Sequence, residues 1–184
     1  MYKIKFHGIG GQGVVTATKL LAQSVGISEN KYSKTMPAYG HERRGAPVYS
    51  DIIIDDSEIL LNSFVYSPDI VIIFDPFIIQ KDIDISKGIH SDSQLLINCG
   101  NKDFVNGNYG NLGFNKITYV DARAIALEHT GREIPNITML GALSSMGIVK
   151  LSSVDQTLKE YFNEKEYVRN EQAIKEAFKS AKEL

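Results

Sequence analysis

Glycines spaced for close backbone approach stand near the amino terminus. The stretch "FHGIGGQGVV", residues 6–15, fits the G-x-G-x-x-G spacing through Gly8, Gly10 and Gly13. Such a turn lets a phosphate approach the backbone, and the helix that follows presents free N–H groups with partial positive charge. Three uses stay open: a phosphate or other anion, an NAD or FAD molecule, or a tight turn that only packs a helix on a strand. Gln12, beside Gly11, adds an amide that either binds a ligand or ties down the neighbouring loop.

A dinucleotide site needs a further part, an acid at the end of the next strand to hold the ribose hydroxyls. The next strand is predicted over residues 31–36, and no acid closes it. Glu29 precedes this strand, whereas Lys34 near its end suits a 2′-phosphate instead. The missing acid counts against an NAD or FAD site.

The most concentrated polar chemistry lies in "PAYGHERRGAPVYSD", residues 37–51. Its polar members His41, Glu42, Arg43 and Arg44 are flanked by Gly40 and Gly45 and by Pro37 and Pro47. Arginine binds phosphate and carboxylate bidentately, and a loop fixed by proline and glycine loses little entropy on binding. The loop is therefore either an anion-binding or interface element near the glycine turn, or a solvated loop with a Glu42–arginine salt bridge. An acid–base pair of His41 with Glu42 is disfavoured because no nucleophile motif accompanies it.

Two further residues attract attention singly. Asp75 follows the most buried predicted strand in "FDP", a position that favours capping of the loop over ligand binding. Cys99 is the only cysteine, so the chain cannot form an internal disulfide or supply the thiolates of an iron–sulfur cluster or a zinc site. We expect Cys99 to be a small buried residue.

Composition bounds the class of protein. The chain has 184 residues, 43% of them hydrophobic and 23% charged, with a formal net charge of -2. These values predict one globular domain over residues 1–184, with no field that favours nucleic acid or an anionic membrane as partner. No run approaches the roughly 18 apolar residues that span a bilayer. The sequence therefore predicts a cytoplasmic protein.

The pattern of elements predicts an α/β fold. Apolar runs indicate strands over residues 4–8, 48–54, 69–74, 94–98 and 116–120, and residues 14–25 show the spacing of one helix face. In the second half, Asp121 and Gly131 bound one predicted helix, "NITMLGALSSMG" forms a buried one, Ser153 begins a third, and Asn170 begins the last. Residues 100–115, rich in Asn and Gly, predict an exposed excursion. The expected architecture is a three-layer α/β/α domain with a Rossmann-like sheet and a glycine turn after its first strand.

Five stretches together resemble a known family. These are "GIGGQGVVTATKLLA", "YGHERRGAPVYSDIIIDDSEI", "SPDIVIIFDP", "NITMLGAL" and "NEQAIKEAF". In this order, from about residue 3 to residue 178, they resemble the gamma subunit of the 2-oxoacid:ferredoxin oxidoreductases, the pyruvate and 2-oxoglutarate synthases. The pairing of G-x-G-G-Q-G-V with E-R-R-G-A-P-V is more specific than either motif alone, and "RRGAPV" resembles the pyruvate type more closely.

The resemblance implies a non-catalytic subunit without metal ligands. Such complexes decarboxylate a 2-oxoacid on thiamine diphosphate with Mg²⁺, pass electrons through iron–sulfur clusters to ferredoxin or flavodoxin, and release an acyl-CoA. The expected partners are alpha, beta and delta-type subunits, and this chain alone holds none of the cofactors.

The site residues expected to help form the coenzyme A site are Gly10, Gly11, Gln12, Gly13, Arg43 and Arg44. The alternative is a stand-alone NAD(P)- or flavin-binding oxidoreductase domain.

Overall fold

A single mixed sheet organises the chain. The computed structural model describes residues 1–38, 45–81 and 83–184. Within these residues seven strands pair in the order β2-β3-β1-β4-β5-β6-β7. The strands are β1 (Tyr2–Ile9), β2 (Tyr32–Pro37), β3 (Pro47–Asp55), β4 (Ile70–Ile73), β5 (Gln94–Asn98), β6 (Lys116–Val120) and β7 (Lys182–Glu183).

The middle of the sheet is parallel and its margins are antiparallel. β1, β4, β5 and β6 run parallel to one another, whereas β3 is antiparallel to β1 and to β2, and β7 is antiparallel to β6. All four residues of β4 are buried, as expected of a parallel strand that is covered on both faces. The strands predicted from the apolar runs are therefore confirmed.

Helices cover the two faces unequally. In the described residues the helices are α1 (Val14–Glu29), α2 (Lys102–Tyr109), α3 (Ala122–Thr130), α4 (Asn136–Ser145), α5 (Leu151–Tyr161) and α6 (Glu164–Ser180). On one face of the sheet, helices α1, α3, α4, α5 and α6 pack to form the larger core. On the other face, α2 and a 3₁₀ turn at Ile78–Lys81 form the smaller core. This arrangement confirms the predicted three-layer α/β/α fold. No helix of the described chain is long and apolar enough to cross a membrane.

Three local predictions need correction. The Asn/Gly-rich stretch contains helix α2, which the Asn101 side chain caps at Phe104 N–H and which buries Val105 and Tyr109. The last helix begins at Glu164 after its cap Asn163, so Asn170 lies inside the helix. Helix α5 begins two residues before Ser153, with no side-chain cap. Burial of Val105 and Tyr109 stabilises α2, whereas α6 starts at a local signal, because the Asn163 side chain accepts from Glu166 N–H.

The position of β3 distinguishes this sheet from a dinucleotide-binding one. β3 lies between β1 and β2, so β2 is the second strand away from the glycine turn. Strands are spaced about 4.8 Å apart, which puts the end of β2 about 10 Å from β1. A residue at the end of β2 is therefore too far away to bind the ribose. In NAD-binding folds that role belongs to a residue at the end of the strand next to β1.

Candidate functional site

The glycine turn lies where the sheet reverses its order. Residues 10–13 connect β1 to α1, with β3 on one side of β1 and β4 on the other. Ligands of open α/β sheets bind in the crevice at such a point, outside the carboxyl ends of the strands. Asp75 is the second residue after β4 and stands across this crevice from the turn, within hydrogen-bond distance of Gln12.

Gln12 bridges the crevice with its side chain. Its Oε1 accepts a hydrogen bond from Ile9 N–H at 2.8 Å, and its Nε2 donates to Asp75 Oδ2 at 3.1 Å. The other carboxylate oxygen of Asp75 accepts from Phe77 N–H at 2.9 Å. Of the two roles left open for the Gln12 amide, the structure shows the second, because the amide ties the turn to the loop after β4. The prediction that Asp75 caps its loop is confirmed.

Two glycines of the turn have left-handed backbones for different reasons. Gly13 has φ of 75°, and a Cβ there would lie 2.9 Å from Cβ of Asn136, with the Asn136 amide nitrogen closer still. Gly13 therefore allows the first turn of α1 to pack against the first turn of α4. Gly11 has φ of 104° with open space around its missing side chain. Its backbone at the tip of the turn is thus accessible to another molecule.

The turn also contacts the end of the arginine-containing loop. Gly10 N–H donates to Ala46 O at 2.9 Å, and Ile9 pairs with Pro47 in the β1–β3 ladder. The predicted site residues Arg43 and Arg44, like the rest of residues 39–44, lie outside the described residues.

A cleft of about 440 Å³ opens at the carboxyl ends of β4, β5 and β6. Asn98 connects its walls, since its Nδ2 donates to Phe74 O at 2.8 Å and its Oδ1 accepts from Arg123 N–H at 3.1 Å. Cys99 lines this cleft and is partly exposed, so the expectation of a buried thiol was wrong. Asn98 was not among the residues predicted from the sequence, although an amide at the end of a strand is a signal for such a hydrogen-bonded link.

A second cleft, of about 550 Å³, lies beside β1 and β3 on the less covered face. Lys5 Nζ donates to both carboxylate oxygens of Asp51 at 3.0 Å, and Val65 N–H donates to Asp51 Oδ2 at 2.7 Å. His7 is 8% exposed, and its Nε2 has no hydrogen-bond partner among the described residues. Burial, with a smaller contribution from the Lys5 charge, lowers the pKa of His7 to about 4. The imidazole is therefore neutral at pH 7.

Comparison by sequence identifies relatives over almost the whole chain. The family model described as pyruvate ferredoxin/flavodoxin oxidoreductase matches residues 3–180. The pyruvate/ketoisovalerate oxidoreductases common subunit gamma of Pyrococcus abyssi is 38% identical over 180 residues, which cover 97% of this chain and 96% of the relative. The pyruvate synthase subunit PorC of Methanothermobacter thermautotrophicus is 37% identical over 185 residues, with 100% and 98% covered.

Solved structures show the same fold. The PORC subunit of pyruvate oxidoreductase from Thermotoga maritima matches with a TM-score of 0.83 at 32% identity, covering 99% of this chain and 97% of that one. A 2-oxoglutarate:ferredoxin oxidoreductase from Magnetococcus marinus, at 17% identity, matches with a TM-score of 0.76 over 96% of this chain and 30% of that chain. At that identity the second match shows the fold alone.

Proposed function

The chain belongs to the pyruvate ferredoxin/flavodoxin oxidoreductase family as a gamma subunit, and we propose that its glycine turn forms part of the coenzyme A site of the complex. The observation that carries the proposal is an open glycine turn that hydrogen bonds hold at the point where the strand order of the sheet reverses. The oxidoreductase activity belongs to the complex, and the proposal assigns no acid, base or nucleophile to this chain.

The shape of the turn supports contact with a phosphate. Gly11 leaves the tip uncovered, and the first turn of α1 has neither a side-chain cap nor an acidic residue. The Asp75 carboxylate faces the same crevice, where Gln12 Nε2 and Phe77 N–H each donate a hydrogen bond to it. The N–H groups of that turn carry the positive end of the helix dipole. Coenzyme A presents phosphate groups that suit such a terminus.

Gln12 serves the proposed site by positioning. With its Oε1 on Ile9 N–H and one Nε2 hydrogen on Asp75, it fixes the turn before any ligand arrives. The second Nε2 hydrogen remains as a donor in the crevice.

Arg43 and Arg44 are proposed to complete the anion site. The support is indirect: Ala46, two residues after Arg44, is hydrogen-bonded to Gly10 of the turn. Two guanidinium groups on a short connection to this point suit either the phosphates of coenzyme A or a carboxylate of a neighbouring subunit.

The other parts of the proposal concern the complex. We propose alpha, beta and delta-type subunits as partners, with thiamine diphosphate, Mg²⁺ and iron–sulfur clusters held by those chains, and ferredoxin or flavodoxin as electron acceptor in the cytoplasm. The single cysteine of this chain cannot supply the several thiolates of a cluster.

The test uses the assembled complex with the double substitution Arg43→Ala and Arg44→Ala. We expect an increase in the KM for coenzyme A of about tenfold or more, because hydrogen bonds to charged groups are lost. Lys175→Ala is the control, since Lys175 forms an exposed ion pair with Glu171 on helix α6 and does not line the cleft that contains Gln12 and Asp75. An unchanged KM together with normal assembly would remove the role given to this loop.

The NAD(P) or flavin alternative is less compatible with the sheet. Because β3 separates β1 from β2, the ribose-binding position of a dinucleotide fold is displaced. Titration of the isolated chain with these nucleotides tests this point, and tight binding of any of them would favour the alternative.

A further inference from the structure

A small cleft on the helical face collects residues from five separate parts of the chain. It has a volume of about 210 Å³. The first turns of α1 and α4 meet here, and the α3–α4 connection, the end of α5 with Tyr161 and Phe162, and helix α6 form its other walls. The polar residues that matter for the argument are Thr16, Arg132, Asn136, Glu166 and Arg169.

The cleft has two arginines without a carboxylate partner in the described chain. No described Asp or Glu oxygen lies within 4.0 Å of a guanidinium nitrogen of Arg132 or Arg169, whereas Arg123 is paired with Glu133. Glu166 is the acidic residue among the lining residues, and its Oε2 accepts from Asn163 Nδ2 at 2.6 Å in the cap of α6. The local charge of the cleft is therefore positive.

Further donors meet in the same place. Thr16 and Asn136 line the cleft, and Asn136 Oδ1 accepts from Ile137 N–H at 2.8 Å, so its Nδ2 is left as a donor. Helices α1 and α4 both lack a side-chain cap and an acid in the first turn. Helices α2, α3 and α6, in contrast, are capped by Asn101, Asp121 and Asn163. The cleft thus provides charged and neutral N–H and O–H donors and little to neutralise them.

We propose that this cleft binds a phosphate group, with the guanidinium groups of Arg132 and Arg169 as its principal ligands. Arginine presents a planar fork of donors that matches phosphate oxygens. Two such groups favour a dianion over a monoanion, because each adds its attraction to the same charge. Thr16 and Asn136 Nδ2 provide the remaining donors.

This site stands apart from the proposed coenzyme A role of the glycine turn. It uses neither Gln12 nor the arginines at positions 43 and 44, and it shares with the coenzyme A proposal only the first turn of α1, through Thr16. Either proposal can fail without the other. If the cleft does not bind phosphate, the expected change in the KM for coenzyme A is unaffected. If that KM does not change, the expected binding of phosphate by the isolated chain is unaffected.

The test is titration of the full-length chain with inorganic phosphate at low ionic strength, followed by calorimetry or by ³¹P NMR. Sodium acetate at the same ionic strength is the second probe, because it distinguishes phosphate recognition from binding of any oxyanion. We expect phosphate to bind more tightly than acetate. Arg132→Gln and Arg169→Gln should each weaken phosphate binding about tenfold or more.

The matched control is Lys102→Gln, which removes one positive charge from the exposed start of α2 on the opposite face of the sheet. It should leave the dissociation constant unchanged within about twofold, as expected of a distant surface charge. Thermal unfolding of each variant establishes that the fold is retained, and Arg132→Lys and Arg169→Lys separate the guanidinium fork from charge alone. Equal affinity for acetate, or equal losses in all three glutamine variants, would indicate an adventitious ion only and overturn the proposal.

Discussion

Substitution of Gly13 by alanine probes the contact between α1 and α4. Gly13 has φ of 75°, and the added Cβ would lie 2.9 Å from both Cβ and Cγ of Asn136, with Nδ2 nearer still. Such separations are shorter than carbon atoms tolerate, and because a new rotamer of Asn136 would leave its Cβ in place, the backbone of α1 or α4 must move. Gly11→Ala is a natural control, because Gly11 also has a positive φ, of 104°, but meets no atom within 4 Å.

The expected cost of Gly13→Ala has two parts. A non-glycine residue in the left-handed region costs about 1–2 kcal/mol. Overpacking against Asn136 adds about 1–3 kcal/mol. Gly11→Ala carries only the backbone cost, about 1–3 kcal/mol. The expected losses in the free energy of unfolding for the two variants overlap. The contribution of the clash must therefore be measured through its coupling to Asn136, because a comparison of the two losses would not reveal it.

A double-mutant cycle with Asn136→Gly isolates the cost of the clash between the new Cβ and Asn136. Urea unfolding gives the free energy of unfolding of each variant, and the coupling between Gly13→Ala and Asn136→Gly should be favourable by about 1–3 kcal/mol because the second change removes the clash. The cycle of Gly11→Ala with Asn136→Gly should show coupling below about 0.5 kcal/mol, as for sites that share no contact. Equal coupling in the two cycles would refute the packing argument.

Two further predictions concern the cleft beside β1 and β3. Because the pKa of His7 is lowered to about 4 in the folded chain, stability falls as the pH drops below the unfolded value of 6.5 and levels off below about 4. The total loss is about 3 kcal/mol, and unfolding midpoints in urea from pH 7.5 to 4 measure it; His7→Phe should flatten that slope, and an unchanged slope would contradict the assignment. Asp51→Asn leaves the Lys5 ammonium without its partner in a site where the carboxylate is fully buried, and should cost about 3 kcal/mol. The same urea assay checks this, with Lys116→Gln, a member of an exposed pair, as control, and equal effects of the two variants would argue against it.

Sequence patterns located the elements but could not order them. Apolar runs identify β3 and β4 because burial on a sheet leaves a direct compositional trace. The insertion of β3 between β1 and β2 leaves no such trace, since pairing depends on contacts between distant segments. Residues 100–115 were misread for a related reason: Asn and Gly favour turns locally, yet burial of Val105 and Tyr109 stabilises α2.

For the candidate sites too, features that depend on neighbouring residues could be predicted, whereas residues that meet from distant segments could not. The glycine spacing and the position of Asp75 after β4 could be read from the sequence, because both depend on neighbours along the chain. Arg132 and Arg169 belong to no motif, and they line one cleft only because α6 packs beside the start of α4. Residues that converge from distant segments cannot be found by spacing alone.

The hydrogen bonds of Gln12 have a consequence for assembly. Since the chain itself holds both ends of this amide, through Ile9 N–H and Asp75, the turn reaches its final shape during folding of the subunit. The turn is therefore preorganised for a neighbouring chain or ligand, and little conformational entropy of the loop is lost when that partner binds. The glycine turn itself therefore needs no remodelling when the subunit assembles.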